Sequence, residues 1–314
     1  MSNAMNDGIR AGMAIEAAIA QAAAQLERSG VAFGHGTDNA WDEAAWLTLW
    51  SLGLALDTDL ASLAPQTLDS AQAQALQALL QRRISERKPA AYLTREAWLH
   101  GVPFYVDERS IVPRSLIAAP LLEGRLDAWL PEQGGQVLDL CTGNGSLAVL
   151  AALAWPQAQV DAVDISADAL AVAAINCERH GLQARIRLIE SDGLQALQPA
   201  QPRYDLVLCN PPYVNSRSMA ALPGEYRAEP ALALAGGEDG MDFIRPMLQA
   251  LPEHMNDGAA LVLEIGHERA HFERAFGTLQ ALWLSEPEDG GDVLLLEKAE
   301  LLRWRAAQGR SPGA

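Results

Sequence analysis

Asn210-Pro211-Pro212-Tyr213 concentrates more usable chemistry than any other stretch of this chain. The residues before it, Tyr204 to Cys209, hold Leu206, Val207 and Leu208 and read as a buried parallel strand. Two successive prolines neither continue a strand nor enter a helix smoothly, so the chain must stop there in a fixed, extended turn. Such a turn presents one amide side chain, backbone carbonyls with no competing N–H, and one aromatic face. Those parts can hold a planar NH2 group by its two hydrogens. A proline-stiffened strand end would look the same in isolation, so the upstream residues decide.

Upstream, a strand runs straight into Asp139-Leu140-Cys141-Thr142-Gly143-Asn144-Gly145-Ser146. Glycines at alternate positions let backbone approach a ligand and accept unusual φ angles. Asp164 ends the next strand about twenty residues on, where a carboxylate can bind both hydroxyls of a ribose. Asp192, after the third strand, can accept a hydrogen bond from an exocyclic amine such as that of adenine. Gly143, Gly145 and Ala148 also satisfy the dinucleotide pattern G-x-G-x-x-G/A, so a nicotinamide enzyme competes. A hydride-transfer enzyme has no use for Asn-Pro-Pro-Tyr after its fourth strand. Asp139 beside the loop would oppose phosphates and suits a cationic ligand. The reading is therefore S-adenosyl-L-methionine, held by Asp139, Cys141, Thr142, Gly143, Asn144, Gly145, Asp164, Asp192 and Asn210.

His267-Glu268-Arg269-Ala270-His271 matches the zinc-protease pattern H-E-x-x-H. Zinc chemistry needs a third ligand and an open coordination position, and no histidine follows His271. The motif reads better as the polar start of a solvated helix, and no metal is expected. His35, His100, His180 and His254 are scattered and suggest no relay.

The chain has 314 residues, enough for one large domain or two modest ones. Its net charge of −17 would repel phosphate backbones and attract a basic partner, so direct nucleic-acid recognition is not expected. Cys141, Cys177 and Cys209 are odd in number and irregular in spacing, which suggests a reducing cytoplasm without disulfides or a zinc site. No stretch is apolar enough to span a bilayer, and Met1 to Ala4 read as an expression remnant.

Residues 5–97 read as a helical, substrate-recognition domain. Ile15, Ile19, Ala22 and Leu26 share a face, as do Trp46, Leu49, Trp50 and Leu54, and then Leu76, Leu79, Leu80 and Ile84. Thr37-Asp38-Asn39 offers capping oxygens to the second helix, with Asp42 and Glu43 in its first turn. Residues 98–114 read as a linking β-hairpin turning at His100-Gly101. Its return strand is Phe104-Tyr105-Val106, extended by Ile111-Val112. Residues 115–314 alternate strand and helix, with strands at Gln136–Leu140, Gln159–Val163, Ile186–Glu190, Tyr204–Cys209, Ala260–Ile265 and Asp292–Leu296. This predicts an α/β fold, a mostly parallel sheet binding its ligand at the strands' carboxyl ends. The tail after Trp304 reads as frayed.

The glycine loop, Asp164 and Asn210-Pro211-Pro212-Tyr213, in this order, resemble a class I (Rossmann-like) methyltransferase of the HemK type. That family methylates the side-chain amide of glutamine in proteins. The likeness extends through Pro113-Arg114, Glu229-Pro230 and Gly236-Gly237-Glu238-Asp239-Gly240, and it includes a helical front half. Phe33-Gly34-His35-Gly36-Thr37-Asp38-Asn39, Trp41-Asp42-Glu43, Ala91-Tyr92-Leu93 and Phe104 to Arg109 are similar to the branch called PrmB. That branch modifies the third protein of the large ribosomal subunit, a basic partner. The sister branch, which modifies peptide-chain release factors, is the alternative. DNA adenine methyltransferases use a similar Pro-Pro-aromatic loop but also need a basic face. A catalytically idle module that docks on ribosomes is a further rival. Cys141 departs from the family's usual glycine, and Gly193 stands where release-factor enzymes often carry an aromatic residue. The resemblance implies that Asn210, Pro211, Pro212 and Tyr213 are catalytic. The Asn210 side-chain oxygen and the Pro211 carbonyl would accept the glutamine N–H bonds while Tyr213 packs on the amide plane.

Overall fold

A computed structural model describes residues 8–198, 203–285 and 291–308. The expected remnant Met1 to Ala4, the first three residues expected in the helical domain, and the last six of the tail lie outside these. The chain forms two compact units, Met1–Ala97 with Pro223–Ala228, and Trp98–Leu222 with Glu229–Ala314.

The first unit contains α1 (Ile15–Ser29), α2 (Ala40–Ser51), α3 (Ser70–Glu86) and α4 (Ala90–Thr94). Ile15, Ile19, Ala22 and Leu26 are all buried along α1, as their spacing predicts. Asn39 caps α2 by accepting from the Asp42 N–H at 2.9 Å, and Asp69 and Gln72 close a capping box on α3. Two expected faces need correction. Trp50 is 40% exposed and Leu54 lies beyond the end of α2, while Ile84 is only half-buried.

In the second unit a short hairpin joins β1 (Ala97–Leu99) to β2 (Val102–Phe104). His100 and Gly101 both have positive φ, 48° and 80°, the backbone that a two-residue hairpin turn demands. The return strand is shorter than expected. Tyr105-Val106 and Ile111-Val112 are not strand, because Asn176 takes both backbone groups of Tyr105.

The main sheet comprises β3 (Gln136–Leu140), β4 (Gln159–Asp164), β5 (Ile186–Glu190), β6 (Tyr204–Cys209), β7 (Met255–Gly266), β8 (Leu282–Trp283) and β9 (Asp292–Glu297). Their order is β5-β4-β3-β6-β7-β9-β8, parallel from β5 to β7 and antiparallel at β9. The fold is the class I methyltransferase fold. The two-residue β8 left no readable periodicity in the sequence. Flanking helices are α5 (Ala118–Leu122), α6 (Ser146–Ala154), α7 (Ala167–Arg179), α8 (Ser216–Ala221), α9 (Ile244–Ala250), α10 (Arg269–Ala275) and α11 (Lys298–Gln308). Helix α11 carries order past Trp304, where fraying was expected, as far as Gln308.

Alternate residues of β6 feed two separate cores. Leu206 and Leu208 join Val137, Val160 and Val262, whereas Val207 and Cys209 join Leu138, Val163 and Leu261. A sheet covered on both faces explains the unbroken apolar runs of its strands. The chain crosses from β3 outward to β4 and β5, then back to β6 beside β3. That reversal opens a crevice at the carboxyl ends of β3 and β6.

The helical unit is organised around a cation. The Arg83 side chain is fully buried and donates from Nε to Glu43 at 2.7 Å, from Nη1 to Glu225 at 3.0 Å, and from Nη2 to the Ala32 carbonyl at 2.7 Å. Glu43 therefore turns inward instead of serving the start of α2 in solvent. Glu225 brings Pro223–Ala228 into this unit from far along the chain. Burial pushes the Glu43 carboxyl up against the pull of Arg83. For Glu225 burial is the largest influence and works upward, but the Arg83 hydrogen bond and charge together with backbone N–H donors hold the carboxyl below its usual range. Replacing Arg83 by methionine leaves the buried Glu43 carboxylate without its cation, while Glu225 keeps Arg87 at 2.9 Å, and should cost about 3–5 kcal/mol. Urea denaturation at neutral pH reads this directly, and a loss below about 1 kcal/mol, the size of an exposed ion pair, would contradict it.

Candidate active site

A cavity of about 200 Å³ lies at the carboxyl ends of β3 to β6. Its floor is the turn that follows β3. Cys141, Gly143 and Gly145 all have positive φ, at 63°, 56° and 79°. The two glycines do different work. A Cβ on Gly143 would meet nothing within 4 Å, so this edge of the loop stands open toward the cavity. A Cβ on Gly145 would lie 3.0 Å from the Cβ of Ala173, so Gly145 lets α6 start close against α7. Cys141 holds a left-handed conformation without a glycine's freedom, at a cost of roughly 1–2 kcal/mol. The neighbouring Cys209 thiol, together with burial, keeps the Cys141 thiol well above its usual range and therefore neutral.

Asp164 ends β4 with its carboxylate on the cavity wall. Oδ2 accepts from the Gly143 N–H at 2.8 Å and Oδ1 from the Ser166 N–H at 2.9 Å, which fixes the loop beside the acid. Burial raises its carboxyl above the ordinary value. Asp192 lines the far side of the same cavity, next to Gly193. A Cβ at Gly193 would come 3.7 Å from the ring of Phe243. The aromatic face missing at position 193 is thus supplied by Phe243, which also lines the cavity. A carboxylate at a strand end, an open glycine edge and an aromatic wall suit an adenosyl group.

The cavity gathers Cys141, Gly143, Asp164, Asp192 and Asn210, but four other expected contacts stand behind its wall. Asp139 is the clearest correction. It is fully buried and faces inward, where Oδ2 accepts from Thr142 Oγ1 at 2.5 Å and from the Ala148 N–H at 2.9 Å. Its side chain braces the loop and does not line the cavity. Thr142 is the other half of that brace. Asn144 donates to the Ile111 carbonyl at 2.7 Å and accepts from the Ser146 N–H at 3.0 Å, so it too is a brace. Sequence reasoning missed Arg109, Ser110, Ile111, Pro230, Leu232 and Phe243 on the cavity wall. Arg109 and Pro230 fall in segments that carry the family likeness, but nothing local points any of these side chains at the cavity, because they come from segments remote from the glycine loop.

Beyond β6 the double-proline loop is held on every side. Asn210 is half-buried and lines the cavity together with Pro212, whereas Pro211 is buried. Val214 pairs with Leu234 and Gly236 through backbone hydrogen bonds of 2.8 and 2.9 Å. A Cβ on Gly236 would come within 2.8 Å of the Pro212 carbonyl oxygen, and one on Gly240 within 2.2 Å of that of Tyr213. The Tyr213 hydroxyl donates to Glu264 at 3.0 Å. Burial and the Glu264 charge push its phenol well above the usual range. Arg114 forks onto Glu229 at 2.6 and 2.7 Å, which joins two motif fragments far apart in sequence.

The H-E-x-x-H segment opens α10 with His267, Arg269 and Ala270 exposed, as a solvated helix start should, and departs from that reading at Glu268. Glu268 is buried, accepts from Asn215 Nδ2 at 2.6 Å, and lies 2.5 Å from His271 Nδ1. It anchors the end of the double-proline loop. No cluster of three metal-ligating side chains occurs among the described residues.

Asp139 has a measurable signature. Burial pushes its carboxyl up to about 7 from an ordinary 3.8, so the unfolded chain gives up this proton at lower pH than the folded one. Folding stability from this group therefore falls as pH rises between those values and levels off above them. Asp139→Asn lacks the titration and should gain about 2 kcal/mol on the parent between about pH 5.5 and about pH 8. Urea denaturation of both proteins at the two pH values checks this, and a constant difference would refute the buried acid.

Comparison with known proteins adds independent support. Residues 17–94 match a family model described as the PrmC N-terminal domain, and residues 118–223 match one described as the methyltransferase small domain. The ribosomal protein uL3 glutamine methyltransferase of Bordetella pertussis is 54% identical over 285 residues, covering 90% of this chain and 94% of that protein. The protein of that name from Burkholderia pseudomallei is 51% identical over 296 residues, covering 90% and 94%. The one from Neisseria meningitidis serogroup B is 46% identical over 283 residues, covering 90% and 92%. With the fold, the cavity and the double-proline loop already in place, identity at this level over nearly the whole length means that the chain belongs to the ribosomal protein uL3 glutamine methyltransferase family.

Proposed function

We propose that this protein transfers a methyl group from S-adenosyl-L-methionine to the side-chain amide nitrogen of a glutamine in ribosomal protein uL3. The observation that carries the reading is the convergence of Asn210 and Pro212 on the cavity that also holds Gly143 and Asp164. The relatives' shared activity favours uL3 over a release factor. No described helix is long and apolar enough to cross a membrane. The whole cofactor cavity is built from the catalytic unit, which leaves the helical unit for recognising the protein substrate.

The bound cofactor supplies an electrophilic methyl on a sulfonium. The protein's task is to make a poor nucleophile face it. An amide nitrogen shares its lone pair with the carbonyl, so its reactivity depends on orientation and on favouring the charge that develops at nitrogen. The Asn210 side-chain oxygen and the Pro211 carbonyl are assigned as acceptors for its two N–H groups. Proline cannot offer a competing N–H, and the clamp on the loop keeps both oxygens in place. Tyr213 is assigned to pack on the amide plane and exclude water. Its phenol stays protonated and committed to Glu264, so it is no general base. The proton therefore leaves for solvent after the methyl has moved.

Asn210→Ala should lower kcat by about two to four orders of magnitude while cofactor binding persists in part. Single-turnover kinetics beside calorimetry separates the two, and an unchanged kcat would remove Asn210 from catalysis. Asp164→Ala should instead weaken binding of S-adenosylhomocysteine by roughly tenfold or more, read by calorimetry. Labelled methyl from the cofactor should appear in uL3 and be absent from release factors and DNA. Label in a release factor alone would reverse the substrate assignment.

A further inference from the structure

S-adenosyl-L-methionine joins a nucleoside to an amino acid, so its pocket must also meet a zwitterionic tail. Asp164 suits the ribose hydroxyls, and Asp192 with Phe243 suits the adenine. The tail carboxylate has no partner among these. A carboxylate taken from water without a cation or several N–H donors is costly. Among the described residues lining the cavity, Arg109 is the single cation, while Asp164 and Asp192 are both acids.

Arg109 reaches the wall on a segment fastened at both ends. Tyr105 exchanges two hydrogen bonds with Asn176, at 2.7 Å through its N–H and 3.0 Å through its carbonyl. The same buried Asn176 donates to the Asn144 carbonyl of the glycine loop at 2.9 Å. At the other end, Asn144 donates to the Ile111 carbonyl at 2.7 Å. Between these anchors, Asp107 grips one edge of the guanidinium, accepting from Nε at 2.9 Å and from Nη2 at 2.7 Å. Asp107 also accepts from the Tyr105 hydroxyl at 2.9 Å, so its own orientation is fixed. Asp107 takes Nε and Nη2, the Tyr105 hydroxyl lies beside the same guanidinium, and the Nη1 edge is turned away from Asp107. A half-exposed Arg–Asp pair two residues apart would ordinarily be a surface ion pair of little consequence. A guanidinium clamped on one edge and mounted on the loop that cradles a cofactor is pre-organised for an anion on its other edge.

We infer that Arg109 binds the carboxylate of the cofactor's methionine moiety through its Nη1 side, with Asp107 as the positioning residue. The assignment rests on the cofactor reading above. It makes Arg109 a specificity determinant for ligands that carry the amino-acid tail.

Calorimetry with two probes tests it, S-adenosylhomocysteine and 5′-methylthioadenosine, which shares the adenosine and thioether but lacks the amino acid. Arg109→Gln should weaken S-adenosylhomocysteine by roughly tenfold to a hundredfold and leave 5′-methylthioadenosine within about twofold of the parent. Arg109→Lys keeps the charge but loses the fork, and should forfeit only part of that affinity. Equal loss from both probes in either variant would mean that Arg109 merely shapes the segment, and no loss from S-adenosylhomocysteine would exclude the contact. Either result overturns the inference while leaving the cofactor reading intact. If the parent protein binds neither probe, the cofactor reading itself fails and takes the assignment with it.

Discussion

Glu264 sits buried near the end of β7, and three donors converge on its carboxylate: the Tyr213 hydroxyl at 3.0 Å, Ser115 Oγ at 2.6 Å and the Leu116 N–H at 2.9 Å. Burial pushes this carboxyl up, and the hydrogen bonds work against that rise. A buried carboxylate is tolerable only when its lone pairs are satisfied, so all three donors must stay where they are. That requirement ties the double-proline loop to the segment after Arg114 and to the central sheet. Glycine at position 266 is part of the same constraint, because a Cβ there would lie 2.4 Å from the Tyr213 ring. Just past the end of β7, Glu268 repeats the device by holding Asn215. The double-proline loop is thus held from one side by two buried acids.

The chemistry follows from what this arrangement leaves out. An asparagine, two prolines and a phenol pinned to Glu264 provide oxygens and surfaces but no group able to take a proton at neutral pH. On the proposed reading, orientation and placement of negative oxygen partial charge are what remain to favour methyl transfer to an amide nitrogen. The opposite wall is built differently. There the loop after β3 offers open backbone at Gly143 and a fixed carboxylate at Asp164. Two walls with different jobs meet because β3 and β6 are neighbours in the sheet.

Strain and buried charge are concentrated close to these tasks. Cys141 accepts a left-handed backbone at the mouth of the cavity, and its neutral thiol adds no charge there. Asp139 accepts burial behind the loop in exchange for two donors that hold Thr142 and the start of α6. In the helical unit, Arg83 performs the corresponding service by collecting Glu43, Glu225 and the Ala32 carbonyl.

Sequence alone determined six of the seven strands of the main sheet, the glycine loop, the acid at the end of β4 and the double-proline loop. Each of these is a local pattern: an apolar run, a glycine that tolerates positive φ, or a proline that forbids continuation. Their order along the chain was enough to imply the fold and the cofactor. Tertiary structure decided which polar side chains face the ligand and which face the core. Asp139 and Asp164 look alike in sequence, yet one is a buried brace and the other a wall of the cavity. Glu43, Arg83 and Glu268 carry no periodic signal, because charged residues are read as solvated until a partner from a distant segment is brought against them. Arg109 and Phe243 reach the cavity for the same reason. A side chain's direction is set by the residues packed around it, and for these positions those residues come from far along the chain.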